Sequence, residues 1–111
     1  MARADVAAVC AAVRDATGAP FVYRQWPKGS TPAWPCLEYH LEEDANFGAD
    51  GGVYRKADRW ALSVYSERKE DALEEAVEAE LDARRIRWRK TEISIDGEGL
   101  LQVEYTFALL R

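Results

Sequence analysis

The sequence predicts an α+β fold, one domain in which two helices pack on one face of a mostly antiparallel sheet. Three observations predict it. Apolar residues recur at helical spacing in two segments, near the N-terminus and again around residues 70–83. Strand-like alternation fills most of the remaining chain, punctuated by turn signals. The order of these segments, α-β-β-β-α-β-β, groups strands in runs rather than alternating each with a helix, which favours antiparallel pairing over a parallel α/β sheet.

Taken in order, Val6, Val9, Cys10 and Val13 mark the buried stripe of a first helix over about residues 4–16, stopped by Gly18 and Pro20. "PFVYRQW" (20–26) is β-prone and ends at the turn cluster "PKGSTP" (27–32). "AWPCLEYHLEE" (33–43) places Leu37, Tyr39 and Leu41 on one face and Cys36, Glu38, His40 and Glu42 on the other. Pro35 near its start predicts an edge position or a bulge. A loop from about Glu43 to Gly52 then leads into a long strand beginning near Val53, with Trp60, Leu62 and Val64 facing the core.

The segment "ERKEDALEEAVEAELDARR" (67–85) is the clearest helix. Leu73, Ala76, Val77 and Leu81 form its apolar stripe, with Glu74, Glu75, Glu78 and Asp82 outside. Ser66 is the expected N-cap. Arg84 and Arg85 suit the negative end of the macrodipole. Two strands close the chain, "IRWRKTEISI" (86–95) and "LLQVEYTFALL" (100–110), joined by the hairpin signal "DGEG" (96–99). In the last strand Leu101, Val103, Tyr105, Phe107 and Leu109 share one face.

Composition narrows the function. With 111 residues and 48% hydrophobic content the chain can build a core without staples. Cys10 and Cys36, far apart and without a framework, read as free thiols of a reducing compartment. The apolar run near the N-terminus is interrupted by Asp5 and too short for a signal peptide, and no stretch approaches the length of a membrane span, so a soluble product without membrane contact is expected. A net charge of −5 repels a phosphate backbone unless a local basic patch overcomes it.

The chemistry-bearing residues point away from catalysis. Cys36 and His40 share a strand face with Glu38 between them, but four residues of strand rise about 13 Å at roughly 3.3 Å each. A thiolate–imidazole pair needs contact near ~3 Å. No enzyme activity, metal or cofactor is expected, since no Cys/His pair has the close spacing of a zinc site. "GADGGV" (48–53) lacks the Lys-Ser/Thr and the following helix of a phosphate cradle. The basic run Arg84, Arg85, Arg87, Arg89 and Lys90, interleaved with Trp88, is the one pointer to nucleic acid. Alternation splits it over two strand faces, and the acids of the preceding helix are available to pair with it.

Four blocks carry a resemblance: "PCLEY" (35–39), "NFGADGGVYRK" (46–56), "LSVYSERKEDALEEAVEAEL" (62–81) and "WRKTEISIDGEGLLQVEYTF" (88–107). In that order they resemble the tail-completion, or tail-to-head joining, proteins of long-tailed bacteriophages and prophages, the group related to phage tail terminators. The similarity covers nearly the whole chain from Pro35 onward. Cys36 stands where an aromatic is usual, and Gly48, Gly51 and Gly52 depart from the typical loop.

The resemblance implies a non-enzymatic ring, usually a hexamer, in the neck or upper tail of a virion assembled in the host bacterial cytoplasm. Such a ring halts growth of the tail tube and meets the head's connector or stopper, while DNA passes through its lumen without specific binding. Its expected partners are further copies of itself, the tail tube protein and the connector or stopper protein. Phe47 and Asp50 are expected to make assembly contacts, with Arg59, Tyr65, Arg87 and Arg89 as further interface residues. The alternatives are a small nucleic-acid-binding module using the Arg84–Lys90 patch and a head-completion (stopper) protein.

Overall fold

A computed structural model describes residues 2–26, 33–49, 53–95, 97 and 99–111. The chain folds as α1 (Ala2–Thr17), β1 (Phe21–Tyr23), β2 (Cys36–Asp44), β3 (Phe47–Ala49), β4 (Val53–Arg55), β5 (Ala57–Ser66), α2 (Asp71–Ala83), β6 (Trp88–Ile95) and β7 (Leu100–Leu110). The main sheet has the order β1-β2-β5-β7-β6, antiparallel throughout except for the parallel β1–β2 pair. Both helices lie on one face of it, as the expected α+β class requires.

The core is the union of the apolar stripes. From α1 come Val6, Val9, Cys10 and Val13, and from α2 Leu73, Val77 and Leu81. They meet Leu37 and Tyr39 of β2, Trp60, Leu62 and Val64 of β5, and Val103, Tyr105 and Phe107 of β7. Burying each of these larger side chains stabilises the fold by about 1.5–3 kcal/mol relative to exposure, and in β7 burial follows the two-residue period.

Both helices end in a left-handed residue. Gly18, at φ 83°, donates its N–H to the Arg14 carbonyl at 2.7 Å and turns the chain toward β1. After α2 the same job falls to a non-glycine: Arg85, at φ 59°, donates to the Asp82 carbonyl, and Ile86 donates to the Leu81 carbonyl. These two bonds form a Schellman motif, with Ile86 packed on the core.

Several expectations are corrected. Ser66 does not cap α2; it is the buried last residue of β5, paired with Leu101, and the helix starts at Asp71 with no side-chain cap. The segment 20–26 supplies only three strand residues, because Arg24 adopts φ 72° and breaks the extension. Pro35 precedes β2, whose first half is flanked by β1 on one side and β5 on the other; the bulge falls later, between Leu41 and Glu43. Leu41 is 41% exposed instead of buried with Leu37 and Tyr39. Glu74 is buried although its position on the helix read as solvent-facing.

The expected loop and the start of the long strand also resolve differently. β2 and β5 run as a ribbon as far as the Asp44–Asp58 pair. Ala57 then donates to the Asn46 side-chain carbonyl at 2.9 Å, and β3 pairs with β4 as a separate two-stranded sheet in register Phe47–Arg55. The long strand therefore begins at Ala57, and β3 and β4 form an arm beyond it. The Cα atoms span 50 × 28 × 24 Å with a radius of gyration of 15.0 Å, against about 13 Å for a compact chain of this length.

Candidate assembly surface

The face of the sheet opposite the helices carries the second set of alternating side chains. Its rows are set by strand register: Cys36–Tyr65–Gln102–Ile93, then Glu38–Ser63–Glu104–Thr91, then His40–Ala61–Thr106–Arg89. Cys36, Glu38 and Ser63 are nonetheless buried. Trp26 and Trp34, from the segments flanking the turn cluster, line a concavity of about 420 Å³ there with Cys36, Glu38, His40 and Tyr65.

This concavity holds the residues that most resemble chemistry. Glu38 accepts a 2.7 Å hydrogen bond from His40 Nδ1, which fixes the imidazole orientation. Burial raises the Glu38 carboxyl above its ordinary range, with His40 pulling it back down. Burial also raises Glu104, in the same row across Ser63. Cys36 is pushed up to about 11 by burial, and Cys10, in the core, up to about 12. Both thiols stay protonated at neutral pH, so neither is a ready nucleophile. Among the described residues no group of three or more His, Cys, Asp or Glu is placed to hold a metal ion.

The basic run separates as alternation predicts. Lys90 points to the helix side and bridges Glu74 and Glu78 of α2, both at 2.8 Å. Arg84 pairs with Glu80 at 2.9 Å, and the Trp88 indole N–H donates to Asp82 at 2.8 Å. Lys69 adds contacts to Glu74 and Glu92, while the Tyr105 hydroxyl donates to Glu78 at 2.6 Å. Lys90, the Trp88 indole and the Lys69 bridge to Glu92 tie β6 to α2. Arg87 and Arg89 are exposed and make no ion pair among the described residues.

The named interface residues fall in three places. Phe47 lies on the arm, 52% exposed, while Asp50 lies outside the described residues. Arg59 and Tyr65 share the open face of β5, Arg59 beside Glu43 at 3.7 Å and Tyr65 half-buried against the concavity. Arg87 and Arg89 mark the β6 edge. Sequence reasoning missed two exposed apolar side chains: Ile93, 38% exposed on this open face, and Leu41, which by its pairing with Trp60 belongs to the helix side of the sheet. Leu41 sits beside the bulge that ends the regular phase of β2, a feature alternation alone does not signal. Ile93 lies on an edge strand whose open face has no covering layer among the described residues. No helix among the described residues is long and apolar enough to cross a membrane.

The architecture is that of small α+β proteins with two helices on one side of a mostly antiparallel sheet. No protein-family model matches the sequence, and no curated protein sequence is significantly similar to it. Among solved structures, the fold is shared with a chain from the virion of a native gene transfer agent particle. The superposition has a TM-score of 0.61 and 16% sequence identity, and covers 90% of this chain and 84% of the other.

Proposed function

We propose that this chain is a structural protein of a tailed, phage-like particle, and that it forms a ring at the head-proximal end of the tail tube. There it stops tube growth and joins tail to head. The observation that carries the reading is the shared fold, over 90% of this chain, with a component of a gene transfer agent virion. The four sequence blocks that resemble tail-completion proteins supply the finer assignment, with a hexamer as the expected ring.

The surface fits a scaffold role better than catalysis. Its buried thiols are protonated, its one imidazole is held by a glutamate, and its net charge of −5 suits a conduit through which DNA slides without condensing on the wall. The arm carrying Phe47 extends from the body and supports a contact with a neighbouring subunit or the tube. Arg59, Tyr65, Arg87 and Arg89 are the remaining contact residues.

Deletion of the gene from the producing phage or prophage, followed by electron microscopy of the lysate, tests the reading. DNA-filled heads beside unattached tails, some overlong, are expected. Normal particles refute it. Unattached tails of regular length with leaking heads indicate a head-completion protein instead.

A further inference from the structure

The main sheet has two free edges of opposite charge. On one side β6 is outermost along its whole length. On the other, β1 pairs with β2 from Leu37 to Tyr39, and among the described residues His40–Asp44 continues without an outer strand. Leu37 donates its N–H to Pro20, and the Tyr39 carbonyl accepts from Arg24. Odd residues of β2 therefore direct their backbone outward, and Leu41 is the next to do so. Unpaired edges of this kind are templates for another chain.

The β6 edge opens with Arg87 and Arg89, exposed and in no ion pair among the described residues. The free part of β2 carries Glu42, Glu43 and Asp44, of which, among the described residues, Glu43 alone has a cation nearby, Arg59 at 3.7 Å. The register puts both charged patches at nearly one height. Arg89 stands in the row of His40, and Glu43 lies in the next row on the same open face. Three successive antiparallel pairings make β6 run opposite to β2. Rotation of a second copy about an axis along the strands thus brings its β2 antiparallel to β6, acids against arginines.

We infer that the ring closes by pairing β6 of one copy with the free segment of β2 of the next, Arg87 and Arg89 meeting Glu42, Glu43 and Asp44. The inference rests on the ring reading above. The contact joins two different patches, so it is head-to-tail, the kind that generates rings. Two copies of the β2 edge would instead oppose like charges.

Cross-linking between full-length single-cysteine additions tests it. T91C and H40C each place one new thiol on one edge, on the same open face and one row apart in the proposed pairing, and native Cys10 and Cys36 are buried. A mixture of the two proteins, distinguished by mass, treated with a short thiol cross-linker should give the T91C–H40C heterodimer and little of either homodimer. Adding R87E/R89E to the T91C protein should lower the yield about tenfold, from two lost ion pairs and new repulsion. Adding E42R/E43R to the H40C protein should restore it. A heterodimer yield no higher than that of a control thiol on the outer face of α2 (E75C), homodimers as abundant as the heterodimer, or indifference to charge reversal would each overturn the inference. Failure here with unattached tails in the deletion lysate removes the edge pairing alone; specific cross-linking with normal particles removes the tail role alone.

Discussion

Replacing Lys90 by Met should destabilise the fold by about 2 kcal/mol, whereas replacing its buried partner Glu74 by Met should cost less than about 1 kcal/mol. Glu74 has a side chain only 3% exposed, with Oε1 held by Lys69 at 3.0 Å and Lys90 at 2.8 Å. Its Oε2 is buried without a partner among the described residues. Losing Lys90 leaves that carboxylate and Glu78 each short of a cation. Charge-assisted hydrogen bonds are worth about 1.5–3 kcal/mol each, discounted here because Lys90 is one-third exposed. Losing Glu74 removes a desolvated oxygen that costs about 1–3 kcal/mol, while Lys69 retains Glu92 and Lys90 retains Glu78. Urea unfolding of both single variants and the double variant measures this. With m between about 1 and 3 kcal/mol/M, the Lys90 variant's midpoint falls by roughly 1 M and the double variant recovers part of it. Equal losses for the two single variants, adding in the double, would refute the reasoning.

Arg85→Gly should raise stability by about 0.5 kcal/mol, because the left-handed conformation costs a non-glycine about 1–2 kcal/mol and glycine's extra unfolded-state freedom returns part of that; thermal melts read it. Gly18→Ala should lower it by about 1 kcal/mol from conformation alone, since an added Cβ there meets no atom within 4 Å. Both native thiols should resist alkylation at pH 8 in the folded protein and react at once in urea, as mass spectrometry would record. For Glu78, burial acts upward, but hydrogen bonds from Lys90 and Tyr105 outweigh it and hold the carboxyl below its ordinary 4.5. The unfolded chain then binds more protons in that window, so this stabilisation is present above about pH 4.5 and is lost as pH falls through the folded value. Glu78→Gln should flatten the acid limb of the stability curve, and an unchanged slope would show that other carboxylates set it.

What the sequence made legible was what period encodes. Val6, Val9, Cys10 and Val13, or Val103, Tyr105 and Phe107, declare their face because one side of each element is buried and the other is not. Where both faces are covered, alternation fails: Cys36, Glu38 and Ser63 are buried opposite the helices because Trp26, Trp34 and neighbouring strands shield them. Glu74 escapes the helical period because its burial depends on Lys69 and Lys90, which reach it from other elements. Ser66 cannot cap because residues 67–70 carry the chain off the sheet before the helix starts. The arm looks like loop in sequence because its pairing, Phe47 with Arg55, spans residues rich in turn signals.

The division of the basic run weighs against the nucleic-acid reading in a way that can be put as a number. Lys90 and Arg84 are engaged by α2 and the Trp88 indole is bonded to Asp82, which leaves Arg85, Arg87 and Arg89 as the cations of the run with no ion pair among the described residues. Neutralising three phosphates gives a slope of log K against log salt near about −2.7, against about −5 to −9 for proteins making six to ten contacts. A salt titration of duplex DNA binding should therefore show a shallow slope and weak affinity. A slope steeper than about −4 would mean that Lys90 and Arg84 leave their helix partners to bind DNA, which would overturn both the shielding described here and the assignment of this edge to subunit contact.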